Sequence, residues 1–188
     1  MKLNSSDFLG IIPARFNSTR LKGKPLMKIG EKTMIEHVYS RASEVLDNLV
    51  VATDDKNILD TVNNFGGNVV LTEKDHLNGT SRCLEAVDIW SKELEKSFNY
   101  IINIQGDEPL LHEDHIIKVI ECFNDSKTEF ATIAQKLNSS DNLLKDKVFL
   151  VKDTFNFALY FSRYTIPFLR EDEIKEDANE FHQHIGIY

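Results

Sequence analysis

The chain has 188 residues, 41% of them hydrophobic and 28% charged, and carries a formal net charge of -8, which is the composition of one ordinary water-facing domain with its own core. The acidic balance excludes a broad nucleic-acid or membrane-surface role, because those polyanionic partners reward positive charge spread over a whole face. No apolar run is long enough to span a bilayer and the opening MKLNSSDF lacks the regions of a signal peptide, so the chain is expected in the cytoplasm, bound to neither nucleic acid nor membrane.

The first apolar run, Phe8–Pro13, reads as a buried strand. It opens directly into a loop that holds Arg15, Arg20, Lys22 and Lys24, and no acid. In open parallel sheets ligands collect at the carboxyl ends of strands, so these cations, with the hydroxyls of Ser18 and Thr19, suit a triphosphate. A plain solvated loop is the competing reading, since Lys and Arg usually face water. Two standard phosphate grips are missing. The nearest string to G-x-x-x-x-G-K-[ST] is Gly30-Glu31-Lys32-Thr33, which lacks the partner glycine, and no G-x-G-x-x-G follows the strand. Phosphate would have to be held mainly by side chains.

Met34, Ile35, Val38, Ala42 and Val45 then form a helical stripe, with Thr33 and Glu36 spaced as a capping box. A second strand follows at Asn48–Thr53, a helix striped by Ile58, Val62 and Phe65 ends at Gly66-Gly67, and a third strand spans Asn68–Leu71. The loop Asp75-His76-Leu77-Asn78-Gly79-Thr80-Ser81-Arg82 leads into a helix carrying Cys83, Ala86, Val87, Trp90 and Leu94. Asn78 or Thr80 is expected to cap that helix, and a nucleobase could share the same small polar groups.

The strand Tyr100–Gln105 runs into Gly106-Asp107-Glu108-Pro109. This string reads as a good turn, or, beside a cationic strand-end loop, as a carboxylate site for Mg2+, which takes oxygen ligands and substrate phosphates. A helix with Ile116, Ile117, Ile120 and Phe123 and a strand at Phe130–Ala134 complete the order βαβαβαβαβ. Such alternation predicts an α/β fold with a mainly parallel sheet flanked by helices. His112 and His115 lack the H-E-x-x-H spacing and read as surface residues, and no G-x-S-x-G elbow supports a hydrolase. Cys83 and Cys122, without C-x-x-C spacing, are expected in or near the core, with no disulfide and no thiolate metal site. Further strands are expected at VFLV, FALYFS and HIGIY, with the acid-rich REDEIKEDANE as a solvated loop. HIGIY stops apolar and without a closing turn, so the chain is expected to be truncated at its C-terminus.

Together the strings IIPARFNSTRLKGKPL, MIEHVYSRA, VATDD, GG-x-VV-x-T, H-x-NGT-x-R, NIQGDEPL, ALYFSRYTIP and HIGIY closely resemble the 3-deoxy-manno-octulosonate cytidylyltransferases, the CMP-Kdo synthetases of lipopolysaccharide biosynthesis. They occur in the family's order and span nearly the whole chain. The resemblance implies a single Rossmann-like nucleotidyltransferase domain over residues 1–188, of the nucleotide-diphospho-sugar transferase type. It implies an enzyme that uses CTP and Mg2+ to convert Kdo to CMP-Kdo and pyrophosphate.

By the same resemblance, Arg15, Ser18, Arg20 and Lys24 would contact the CTP phosphates, with Arg15, Lys24 and Asp107 catalytic and Asp107 holding Mg2+. Asn78, Gly79, Thr80 and Arg82 would line the nucleotide pocket, and Gln105, Arg163, His184 and Tyr188 would face Kdo. A homodimer is left open, and so are a cytidylyltransferase for another acidic sugar and a truncated, non-catalytic nucleotide-binding paralogue. Two departures stand out. The family commonly reads S-G-T-[DE]-R where this chain has Asn78-Gly79-Thr80-Ser81-Arg82, so an acid near the nucleotide is replaced. The family also continues past HIGIY into a G-x-D-T segment with a second metal-binding Asp, so the 188-residue chain alone is expected to have weak activity or none.

Overall fold

Burial on both faces fixes where the first strand lies. β1 (Phe8–Ala14) is buried at every residue except Pro13, the signature of an interior parallel strand. The computed structural model describes residues 3, 5–17, 21–137, 147–168 and 181–188, in two compact units: Met1–Ala131 with Ile187–Tyr188, and Thr132–Gly186. After β1 the first unit continues through a short hairpin, β2 (Lys28–Ile29) and β3 (Lys32–Thr33), and α1 (Met34–Ser43). It then runs through β4 (Leu49–Thr53), α2 (Lys56–Asn64), β5 (Val69–Leu71), α3 (Gly79–Glu93), β6 (Tyr100–Asn103) and α4 (Glu113–Cys122).

The sheet order is β5-β4-β1-β6, with every pair parallel. Ile11 sits opposite Val50 on one side and Asn103 on the other. Alternate residues of each strand face opposite ways, so Leu9, Ile11, Val50, Ala52 and Val70 form one apolar layer against Cys83 and Ala86 of α3. Each Leu, Ile and Val of this layer contributes roughly 1.5–3 kcal/mol when fully buried. α1 and α2 are neighbours, their Tyr39 and Phe65 rings 5.4 Å apart. This is the α/β fold with a parallel sheet and flanking helices that the hydrophobic pattern predicts.

Several details differ from the sequence reading. The run expected as a fifth strand over Phe130–Ala134 forms instead at β7 (Ile133–Leu137), leaving Phe130 68% exposed. In the second unit β7 joins β8 (Phe149–Lys152), β9 (Ala158–Ser162) and β10 (Phe181–Ile185) in an antiparallel sheet of order β7-β10-β8-β9. Its core is Leu137, Phe149 and Phe181, with Ile166 packed against them. An antiparallel sheet buries only one face, so Ile133–Leu137 reads weakly as a strand. HIGIY is divided: β10 ends at Ile185, while Ile187 bridges to Ile104 in the first unit. The acid-rich stretch Arg170–Glu180 lies outside the described residues. Thr33 caps α1 by accepting the Glu36 N–H at 3.4 Å, but the Glu36 carboxylate lies 3.9 Å from Lys32. Ile117 is exposed, and α4 buries Ile116 and Val119. Among the described residues, no helix is long and apolar enough to cross a membrane.

The two cysteines separate. Cys83 is buried against the sheet and its thiol is pushed up to about 12 by burial, with Arg82 opposing. Cys122, expected near the core, is exposed at the end of α4. A thiolate is the reactive form, so a maleimide at pH 8 should label Cys122 alone in the native protein and Cys83 only after denaturation. Mass spectrometry checks this; labelling of both in the native state would mean that α3 separates from the sheet.

Candidate active site

The loop after β1 is closed at its base. The Gly23 N–H donates to the Phe16 carbonyl at 2.8 Å, and Gly23 has φ 71° with a would-be Cβ 3.1 Å from the Phe16 ring, so a side chain there would be strained. Lys22 Nζ lies 5.7 Å from the Phe16 ring centroid, within reach of a cation–π contact. Gly23 then caps a single 3-10 turn, Lys24–Leu26, in which Pro25 is buried. Arg15 is exposed. Ser18, Thr19 and Arg20 lie outside the described residues.

The turn after β6 approaches this loop. A Cβ on Gly106 would lie 3.1 Å from the Pro13 carbonyl oxygen and 3.4 Å from Ile12, so glycine permits two backbones to meet. Asp107 Oδ2 is thereby set 2.6 Å from Lys24 Nζ, with side chains 52% and 32% exposed. An ion pair this open contributes at most about 1 kcal/mol. Its partners are therefore available to other charges at little cost to the fold. The neighbouring Glu108 carboxyl is held above its ordinary range, first by burial and then by the charge of Asp107, against the pull of Lys24.

Between the loop after β1, the start of α2 and the loop into α3 lies a cleft of about 640 Å³ bordered by Arg15, Phe16, Asp54, Lys74, His76 and Arg82. A smaller slot, about 80 Å³, is walled by Pro13, Ala14, Gly79, Asn78, His76 and Gln105. Asn78 caps α3: its Oδ1 accepts the Ser81 N–H at 2.9 Å, and Ser81 Oγ donates to the Asn78 carbonyl at 3.0 Å. Ser81, where the resemblance expects an acid, thus closes the start of the helix. Thr80 and Tyr188 share a hydroxyl contact at 3.0 Å. Asn103 Nδ2 donates to Tyr188 Oη at 3.2 Å, and Gln105 Nε2 to Asn103 Oδ1 at 3.2 Å. One hydrogen-bonded chain therefore joins residues expected in the nucleotide and sugar sites.

Arg82 is not a free cation. It is 3% exposed, with Nη2 3.1 Å from Asp54 Oδ2 and Nη1 donating to the Glu73 carbonyl at 3.2 Å and to the Thr72 hydroxyl. It forms a wall of the cleft while bracing β4, β5 and α3. Arg163 and His184 belong to the second unit. Arg163 is exposed just after β9. His184 on β10 lies 2.8 Å from Thr132 Oγ1 and edge-on to Phe161, and burial lowers its pKa.

Asp54, Phe16 and His76 lie within strings that the sequence marks but receive no role from it, and Glu85 lies outside them. His76 and Glu85 are nine residues apart across a loop and a helix turn, a spacing that no simple periodicity displays. Among the described residues no group of three or more His, Cys, Asp or Glu side chains forms a metal cage. Asp107 offers one accessible hard oxygen ligand, already in contact with a cation. Its chemistry fits a Mg2+ ion that brings phosphate ligands with it.

Fold and cleft thus define a Rossmann-like α/β domain with a charged crevice at its strand ends. A family model described as cytidylyltransferase matches residues 9–188. The 3-deoxy-manno-octulosonate cytidylyltransferase of Fusobacterium nucleatum subsp. nucleatum is 46% identical over 184 residues, covering 96% of this chain and 71% of that protein. The protein of the same name from Parabacteroides distasonis is 42% identical over 190 residues, covering 96% and 73%. Among solved structures, that of a CMP:2-keto-3-deoxy-manno-octonic acid synthetase complexed with CTP superposes with a TM-score of 0.84 at 34% identity, over 97% of this chain and 73% of that one. A 4-diphosphocytidyl-2C-methyl-D-erythritol synthase, 14% identical with a TM-score of 0.56, shares the fold alone. The chain belongs to the cytidylyltransferases, and within them to the 3-deoxy-manno-octulosonate cytidylyltransferase family. It is by that membership a nucleotidyltransferase.

The two ion pairs should respond differently to mutation. Asp54→Ala leaves a buried guanidinium without its carboxylate and is expected to cost about 3 kcal/mol. Lys24→Met should change stability by less than about 1 kcal/mol. Urea denaturation distinguishes them, and equal losses would contradict the division into bracing and available charges.

Proposed function

We propose that this protein activates Kdo with CTP, giving CMP-Kdo and pyrophosphate for lipopolysaccharide biosynthesis in the cytoplasm. The observation that carries the reading is the open Lys24–Asp107 pair, drawn from the loops after β1 and β6, in a chain of this family whose β1 loop also places Arg15 on a cleft of about 640 Å³. The anomeric oxygen of Kdo forms a bond to the α-phosphorus of CTP as the bond from that phosphorus to the β-phosphate oxygen breaks. The hydroxyl proton passes to water and pyrophosphate departs with the displaced electron pair. There is little covalent work for the protein, so catalysis rests on alignment and on neutralising charge.

Arg15 and Lys24 bind the phosphates, and Lys24 stabilises the negative charge that grows on the leaving pyrophosphate. Ser18 and Arg20 extend that grip. Asp107 would hold Mg2+, which when bound supplies further neutralisation across the phosphate oxygens. The start of α3, with Asn78, Gly79 and Thr80, borders the nucleoside, and the buried Arg82 keeps that wall in place. Gln105 and Tyr188 are assigned to the acidic sugar, and the family resemblance alone assigns Arg163 and His184 to it.

The test is pyrophosphate release from CTP with Mg2+, with and without Kdo. In a protein that also carries the C-terminal segment expected of the family, release should require Kdo, and Asp107→Ala should lower it by at least about 100-fold while the melting temperature stays within a few degrees. Release that follows another acidic sugar instead would assign a different acceptor. Unchanged turnover in Asp107→Ala would remove the metal role from that residue.

A further inference from the structure

His76 stands on the loop between β5 and α3, and its ring borders both the large cleft and the small slot. Nothing in the phosphate or sugar chemistry above uses it. Its Nε2 lies 2.5 Å from Glu85 Oε2, and the same carboxylate accepts the Glu73 N–H at 3.0 and 3.1 Å. The side chains of His76 and Glu85 are only 16% and 27% exposed. Glu85 is therefore fixed by the backbone on one side and fixes the imidazole on the other.

A carboxylate at one ring nitrogen selects the tautomer that carries its proton there. With Nε2–H committed to Glu85, Nδ1 presents a lone pair, and it has no hydrogen-bond partner among the described residues. A lone pair requires a donor. A phosphate at neutral pH offers acceptors, so it is a poor match, whereas an amino group is a good one. The slot beside His76 has small walls, Pro13, Ala14 and Gly79, and Gly79 is close enough to Pro13 that a Cβ there would lie 3.4 Å from its ring. Arg15 and Arg82 line the slot as well, but Arg82 is committed to Asp54 and Thr72, and the close Pro13–Gly79 wall leaves a gap that suits a flat ring.

We propose that His76, oriented by Glu85, is the specificity-determining acceptor for the 4-amino group of cytosine and so sets CTP apart from UTP. Uracil places a carbonyl oxygen where cytosine has its amino group, so the same nitrogen meets an acceptor and loses its hydrogen bond. Glu85 acts through His76 and is a positioning residue. This inference rests on the cytidylyltransferase reading.

The experiment is calorimetric titration of the full chain with CTP, UTP and inorganic triphosphate, in the wild type and in His76→Ala, His76→Asn and Glu85→Gln. The wild type should prefer CTP over UTP by about tenfold or more. His76→Ala should weaken CTP by about tenfold and leave UTP and triphosphate within about twofold. His76→Asn, whose amide oxygen restores an acceptor, should retain part of the preference, and Glu85→Gln should reduce it. Unchanged triphosphate binding shows that a variant is folded. Equal weakening of CTP and UTP, or an undiminished preference in His76→Ala, overturns the proposal. Failure of the wild type to bind any of the three ligands would instead remove the cytidylyltransferase reading beneath it.

Discussion

Strand β1 is hydrogen-bonded in parallel on both edges and covered on both faces, and the chemistry gathers where that strand runs out. The chain moves outward from β1 to β4 and β5, then returns across the sheet to β6 on the opposite edge of β1. Loops that leave β1 and β6 consequently open a crevice at the point where the order reverses. The close approach of Gly106 to Pro13 narrows that crevice until a cation from one loop and a carboxylate from the other touch. Site and core are thus one construction: displacement of β1 would separate Lys24 from Asp107.

The same pairing of charges serves two purposes according to burial. Arg82 and Asp54 meet in the interior rim of the cleft, with hydrogen bonds from Arg82 to Thr72 and Glu73 as well. Breaking that pair leaves a charge stranded in a poorly solvated place. Lys24 and Asp107 meet in the open, where water and incoming ions compete on nearly equal terms. A chain of net charge -8 can still present local positive charge, because Arg15, Lys22 and Lys24 follow one strand with no acid among them. Local arrangement outweighs net charge at these distances, since screening limits remote charges to roughly a Debye length of about 8–10 Å.

Central strands were the most legible feature. Phe8–Pro13 and Leu49–Thr53 are apolar almost without interruption because neither face meets water. The stripe of α3 is equally plain, and of the two caps expected, Asn78 or Thr80, it is Asn78 that closes its start. Ile133–Leu137 was not placed correctly, since an antiparallel strand with exposed Ala134, Gln135 and Lys136 carries a weaker apolar signal than the Phe130 that precedes it. At the site, the basic loop and Asp107 could be found because they stand beside strand ends in sequence. The Arg82–Asp54 pair, 28 residues apart, and the His76–Glu85 pair depend on which strands become neighbours, information that a linear pattern does not hold. Cys122 follows the apolar stripe of α4 closely enough to look interior, yet it falls on the solvent side of the last turn.

The central claim is that one carboxylate, Asp107, binds the divalent ion only when the nucleotide supplies the remaining ligands. Water-proton relaxation with Mn2+ as the reporter measures this directly, in the wild type and in Asp107→Asn, with and without CTP. The account predicts weak Mn2+ binding to the protein alone, a strong enhancement on adding CTP, and loss of that enhancement in Asp107→Asn. Tight Mn2+ binding without nucleotide, or an enhancement that survives the substitution, would contradict it.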